Sequence, residues 1–299
     1  MKTRFPPDRG LTGRMLLTMF LLGLLYVVFA VALVVLLKSA VLAVLIAGAL
    51  LFAQYWFSDR IALYAMHGRV VTPDEAPDLH ALVDRLCALA DMPKPKVAIA
   101  DSDVPNAFAT GRSPKRAVVC ATTGIMRRLS PAELEGVLSH ELSHVAHRDV
   151  TVMTIASFVG VLAGFLTRIA LYSGMGNRRG NNNGPPVVLI ITLVSVVVYA
   201  LSFLLTRALS RYRELAADRA GAILTGQPSA LASALVKITG EMARIPSRDL
   251  RKAEPFNAFF FTPAVAPGFS LSSLFSTHPT IERRLDQLSR ISAQLGQPG

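Results

Sequence analysis

Residues 130–149 read SPAELEGVLSHELSHVAHRD, and the rest of the chain is understood from them. Ser130 offers a hydroxyl N-cap, Pro131 stands at the first helical position and Glu133 at the third, the signature of a capped helix start. Leu134, Val137, Leu138, Leu142 and Val145 then recur at helical spacing. His140 and His144, four residues apart, share one face of that helix, so both rings can present a nitrogen to a single Zn²⁺. Glu141 projects to one side of the pair, where a carboxylate can take a proton from water. The plainer alternative is an amphipathic helix with two surface histidines. Against it, three of the six histidines in the chain fall at positions 140, 144 and 147.

Directly after Asp149 the charges stop. Val150–Thr167 is an uncharged run of 18 residues, and Met15–Leu37, Ser39–Phe57 and Val187–Thr206 give three more, of 23, 19 and 20. A helix of roughly 20 apolar residues crosses about 30 Å of hydrocarbon, whereas helices buried in soluble cores average about 10–14 residues. Four such runs predict membrane spans, and the first is too long for the apolar region of a cleaved signal, about 7–15 residues. Composition agrees, with 52% hydrophobic and only 17% charged residues in a chain of 299, which excludes a disordered protein. Cys87 and Cys120, the only cysteines, exclude a disulfide scaffold.

The net charge of +11 is distributed unevenly. Lys2, Arg4, Arg9, Arg14, Arg60, Arg69, Arg148, Arg207, Arg211, Arg213 and Arg219 flank the runs on one side, against Lys38, Arg168, Arg178 and Arg179 on the other. The excess of basic residues predicts that both termini face the cytoplasm. It also leaves two soluble segments, 58–149 and 207–299, on that same side. In the first, Ala76–Leu89 has helical periodicity, and Val97–Ala100, Ala107–Thr110 and Ala117–Cys120 read as short strands between turn-rich stretches. Gly174–Pro186, rich in Gly and Asn, reads as a connector between the last two runs. Helices around a small sheet predict an α+β domain.

A catalytic zinc of this type needs a third protein ligand. Glu214 is the best candidate, with Asp218 four residues on, so that both can face the site from a second helix. Ala216 and Ala217 would let that helix approach closely, and Asp218 suits a hydrogen bond from the other ring N–H of a ligand histidine. Alternatively, these acids only pair with neighbouring arginines. Topology favours the first reading, because the third and fourth runs form a hairpin that returns the chain to the side it left. Val150 follows His144 by six residues and Glu214 follows Thr206 by eight. Helices running on unbroken would hold both motifs about 9–12 Å beyond the membrane ends, at about 1.5 Å per residue.

Four stretches, PNAFA (105–109), HELSH (140–144), ELAAD (214–218) and SLSSLFSTHP (270–279), occur in this order with the four runs. Together they resemble the HtpX family of integral-membrane zinc metalloproteases, related to the CAAX prenyl endopeptidases and the mitochondrial Oma-type proteases. The resemblance implies a mainly α fold with a small β-sheet: four transmembrane helices plus a cytoplasmic zincin-like α+β metalloprotease domain. Residues 1–57 would form the N-terminal tail and first hairpin, 58–149 the first part of the protease domain, 150–206 the second hairpin and 207–299 the second part. One Zn²⁺ per chain would be held by His140, His144 and Glu214, with Glu141 as general base and Asp218 in support. Substrates would be misfolded or damaged polypeptides, mainly membrane proteins and also the chain itself, at the inner membrane of a bacterium.

Further residues have two readings each. His278 is placed near the site by the resemblance, as a donor to the reaction's oxyanion, yet Thr277–Glu282 also has the look of a plain helix cap before Ile281, Leu285 and Leu288; Arg211 is a second candidate for the same role. Asn106 to Ala109 reads either as a sheet edge that holds substrate or as an ordinary turn and strand. Phe256 and Phe259–Phe261 are core or a substrate-facing lip. His147, where the family often has asparagine, reads as a helix-end cation on the carbonyl dipole and not as a ligand. Rival functions are a CAAX-type endoprotease, which typically has more spans, and a non-enzymatic four-span scaffold with a structural metal. Transport would need ionisable groups inside the spans, and none is there. Nucleic-acid binding is not favoured, since the basic residues are scattered, and attraction to anionic lipid is the simpler account.

Overall fold

The structure is a computed structural model that describes residues 9–36, 66–111, 113–156, 185–244 and 278–296, with single positions in between from 45 to 64 and at 160 and 162–164. At its centre lies a four-stranded mixed sheet: β1 (Gly68–Val70), β2 (Lys96–Ala100), β3 (Ala107–Thr110) and β4 (Val118–Thr122), in the order β1-β2-β4-β3. β2 and β4 run parallel, and both outer pairs are antiparallel. The three strands expected from sequence are present, with β4 displaced slightly toward its C-terminus. β1 was not foreseen, because three partly exposed residues carry no readable alternation.

Alternate residues of these strands go to two cores, as the two-residue period requires. Val97, Ala107, Val119 and Ala121 join the main core with the helices, while Ala98, Ala100, Phe108, Val118 and Cys120 pack on Leu63 and Met66. The main core is closed by α2 (Pro77–Ala90), α3 (Thr123–Arg128), α4 (Pro131–Ala146), α6 (Pro228–Arg244) and α7 (Ile281–Gln294). Its filling is chiefly aliphatic: Val83, Leu86, Ile125, Leu138, Leu142, Leu231, Leu235, Ile238 and Leu288. Gly124 is required where α3 starts, since a side chain there would lie 2.3 Å from the Asp103 carbonyl oxygen.

α1 (Arg9–Leu36) and α5 (Pro185–Thr225) pack along each other. Both contain stretches long and apolar enough to cross a membrane, Thr12–Phe29 and Thr192–Thr225. Large apolar side chains stay exposed along them, among them Leu16, Leu17, Phe20 and Leu24 on α1 and Leu193, Val197 and Leu204 on α5. Such continuous apolar surface marks contact with lipid or protein. The second and third runs expected from sequence are described only in part; residues 149–156 are helical, as are 160 and 162–164. Gly160 and Gly164 bring that segment onto α5, where added side chains would meet Ser202 at 3.3 Å and Tyr199 at 3.4 Å. Residues 165–184, holding most of the expected connector, and 245–277, holding Phe256, Phe259–Phe261 and most of the 270–279 stretch, lie outside the described residues.

One expectation fails. α5 runs unbroken from the apolar stretch through Glu214, but α4 does not continue into the third run. α4 ends at Ala146, His147 caps it, and Arg148 turns the chain with φ of 57° before helix resumes at residue 149. A height above the membrane counted in helical rise from Val150 to His144 therefore does not apply.

Candidate metal centre

α4 carries out what its sequence encodes. The Ser130 side chain accepts from the Glu133 N–H while Glu133 accepts from the Ser130 N–H, a closed capping box. The helix is buried along most of its length, because the sheet and β3 lie on one side and α5 and α6 on the other. Gly136 packs against the backbone of Leu231 on α6, and Gly221 of α5 against the backbone of His140, where an added side chain would come within 3.2 Å and 3.0 Å. The closest approach of α5 is thus made at Gly221, beyond the small Ala216 and Ala217 that sequence reasoning selected.

This packing brings His140, His144 and Glu214 together, with one donor atom of each within 4.8 Å of the others. His140 Nε2 and His144 Nε2 stand 3.1 Å apart, and each is 3.5 Å from an oxygen of Glu214. The second nitrogen of each ring has its own carboxylate: His140 Nδ1 lies 2.9 Å from Asp218 Oδ1, and His144 Nδ1 lies 2.6 Å from Asp149 Oδ2. With Nδ1–H donating in both rings, a tautomer assigned from the hydrogen bonds, two Nε2 lone pairs and a carboxylate converge on one point. Such a convergence suits a cation. Zinc ligands at about 2.0–2.2 Å in tetrahedral array would stand about 3.3–3.6 Å apart, close to the spacing found.

Glu141 flanks the two histidines on α4 and reaches toward β3. Its Oε2 accepts the Ala109 N–H of β3 at 3.0 Å, and burial pushes the carboxyl above its ordinary value. Ala109 and Ala107 turn their backbone groups to the open edge of β3, since the residues between them pair with β4. Asn106 does not belong to that edge. It is fully buried, and its backbone exchanges hydrogen bonds with Thr122.

His278 reaches the site and precedes a helix start as well. Its Nδ1 is 3.1 Å from Glu214 Oε2, and Thr280, not His278, caps α7 by accepting from the Arg283 N–H. Arg211 sits half-buried on α5, one turn before Glu214; the buried guanidiniums on the carboxylates of the centre are those of Arg213 and Arg284. His147 is a helix-end residue as expected, with Nδ1 2.7 Å from the Ser143 carbonyl oxygen. Burial holds its pKa below the ordinary histidine value.

Sequence reading missed three residues. Arg284 donates to both oxygens of Asp218, at 2.7 and 2.6 Å. Asp149 holds His144, and Arg213 pairs with Asp149. Arg284 left a signal, because it shares a helical face with Leu288 and Ile291, where a buried side chain is expected.

A two-histidine, one-carboxylate centre beside a buried glutamate, on a chain with helices long and apolar enough to cross a membrane, defines a membrane-associated metallopeptidase. The chain belongs to peptidase family M48, whose family model matches residues 73–292. It is 63% identical over 297 residues to protease HtpX homolog 1 of Streptomyces coelicolor, covering 99% of this chain and 98% of that one. To protease HtpX homolog 2 of Methanosarcina acetivorans it is 52% identical, covering 99% and 100%. Among solved structures it is similar in fold to S. mikatae Ste24p, with a TM-score of 0.53 at 17% identity, over 94% of this chain and 67% of that one.

Proposed function

We propose that the protein is a zinc endopeptidase that hydrolyses misfolded or damaged membrane proteins, and on occasion its own chain, at the cytoplasmic face of a bacterial inner membrane. The observation that carries this reading is the convergence of His140 Nε2, His144 Nε2 and a Glu214 oxygen beside buried Glu141. His140, His144 and Glu214 would hold one Zn²⁺ per chain. When bound, the ion polarises the scissile carbonyl and acidifies the attacking water.

The chain's own residues do the rest. Asp218 fixes the His140 ring and Arg284 fixes Asp218, so that ligand cannot rotate away. Glu141 takes the proton of the attacking water and returns it to the leaving amine. Its tie to the Ala109 N–H links the base to the edge of β3, against which an extended peptide would add as a further strand. Backbone pairing of that kind makes little demand on sequence, which fits unfolded substrates. His278, beside Glu214, would donate to the oxyanion that forms on the substrate.

The apolar α1 and α5 support the four-span arrangement, with hairpins within 1–57 and 150–206 and a peptidase domain assembled from 58–149 and 207–299. The basic residues at the span ends support its cytoplasmic orientation. Element-resolved mass spectrometry tests the ligand set. Purified protein should carry one zinc per chain and Glu214→Ala essentially none; a Glu214→Ala variant with full zinc would mean a different third ligand.

A further inference from the structure

Each histidine of the centre is backed by a carboxylate and that carboxylate by a buried arginine. Behind His140 the sequence of contacts is Asp218 and then Arg284, from the C-terminal helix. Behind His144 it is Asp149 and then Arg213. The second set differs in where its members come from. Asp149 is the first residue of the helical segment that leads into the third apolar run, placed there by the left-handed turn at Arg148. Arg213 is the neighbour of Glu214 on α5. Both side chains are withdrawn from solvent, with 13% of Asp149 and 4% of Arg213 exposed, so neither is a surface ion pair.

We infer that Asp149 and Arg213 form a second positioning relay, which holds His144 in its ligating tautomer and ties that ligand to the start of the third apolar segment and to α5. The inference rests on His140, His144 and Glu214 being the ligand set. Its physical content is a matter of acceptors. Asp149 Oδ2 faces the His144 N–H while Oδ1 faces Arg213, so two donors converge on one carboxylate. An asparagine has one acceptor oxygen. Arg213, which can only donate, would claim it, and the amide NH₂ would then face His144 Nδ1. The ring would have to carry its proton on Nε2, on the side where the metal binds, and would cease to be a ligand.

The test uses the full chain in detergent, with Zn²⁺ affinity measured by competition with a chelating dye and the thermal midpoint of the metal-free protein measured alongside. Asp149→Asn should weaken zinc binding about 10–100-fold, the effect usual for such supporting partners, and should also lower the metal-free midpoint, because buried Arg213 loses its counter-charge. Adding Arg213→Met to Asp149→Asn should tighten binding several-fold relative to Asp149→Asn alone, because the asparagine oxygen is then released to His144. Two results overturn the relay: unchanged affinity in Asp149→Asn, or a double variant that binds zinc no more tightly than the single. His144→Ala, run in parallel, separates the two levels. Loss of zinc there together with full affinity in Asp149→Asn rejects the relay alone, and retained zinc in His144→Ala rejects the ligand set on which it stands.

Discussion

Arg284 grips both carboxylate oxygens of Asp218, at 2.6 and 2.7 Å, across 66 residues of sequence and with both side chains buried. Through this contact the C-terminal helix α7 becomes part of the metal centre, since Asp218 in turn holds His140. Removing one member of such a pair strands a buried charge and typically costs about 3–5 kcal/mol. Arg284→Ala should lower stability by that order, read as a fall in thermal midpoint in detergent. Arg284→Lys should not restore it, because an ammonium cannot make the two-pronged contact. Lysine giving wild-type stability would show that charge alone matters at this position.

Gly221 sets the distance between the two ligand helices. A methyl group there would lie 3.0 Å from the His140 backbone nitrogen and 3.1 Å from Ser139 Oγ, so α5 must move off. Gly221→Ala and then Gly221→Val should weaken metal binding in that order, since Asp218 and Glu214 lie one and two turns back on the same helix. Overpacking of this kind typically costs about 1–3 kcal/mol. Wild-type zinc affinity in the valine variant would contradict the account.

Glu133 supplies a pH dependence away from the centre. Burial alone would raise its pKa, but hydrogen bonds from Lys237, Ser233 and Ser130 bring the carboxyl down to about 2 from its ordinary 4.5. The folded value is depressed, so the stabilisation is present above pH 4.5 and lost as pH falls from there toward 2. Roughly 1–3 kcal/mol is at stake. Glu133→Gln should be less stable than wild type at neutral pH and should approach it between pH 4.5 and 3, as followed by acid unfolding. A constant gap across that range would place the origin elsewhere.

The local features were legible in the sequence, and the long-range ones were not. α4 could be read because its cap, its apolar period and its two histidines all lie within twenty residues of one another. Glu214 and Asp218 could be read because four-residue spacing on a helix fixes their common face. The supporting residues depend on backbone turns and on contacts between distant segments. Asp149 meets His144 across a turn in which Arg148 adopts a left-handed conformation, a break in the helix that composition does not announce. Within the 106–109 stretch, the sequence does not say which backbone groups are free, since that is decided by the register with β4 and not by composition.

Peptide hydrolysis by Glu141 at a zinc held by His140, His144 and Glu214 is the central claim, and one comparison tests it most directly. Wild type and Glu141→Gln are purified, loaded with zinc and incubated with an unfolded polypeptide, with metal content and cleavage products measured on the same samples. The account predicts one zinc per chain in both and a loss of cleavage of at least about 100-fold in the variant, as expected for removal of a general base. Equal cleavage by the two proteins would contradict it.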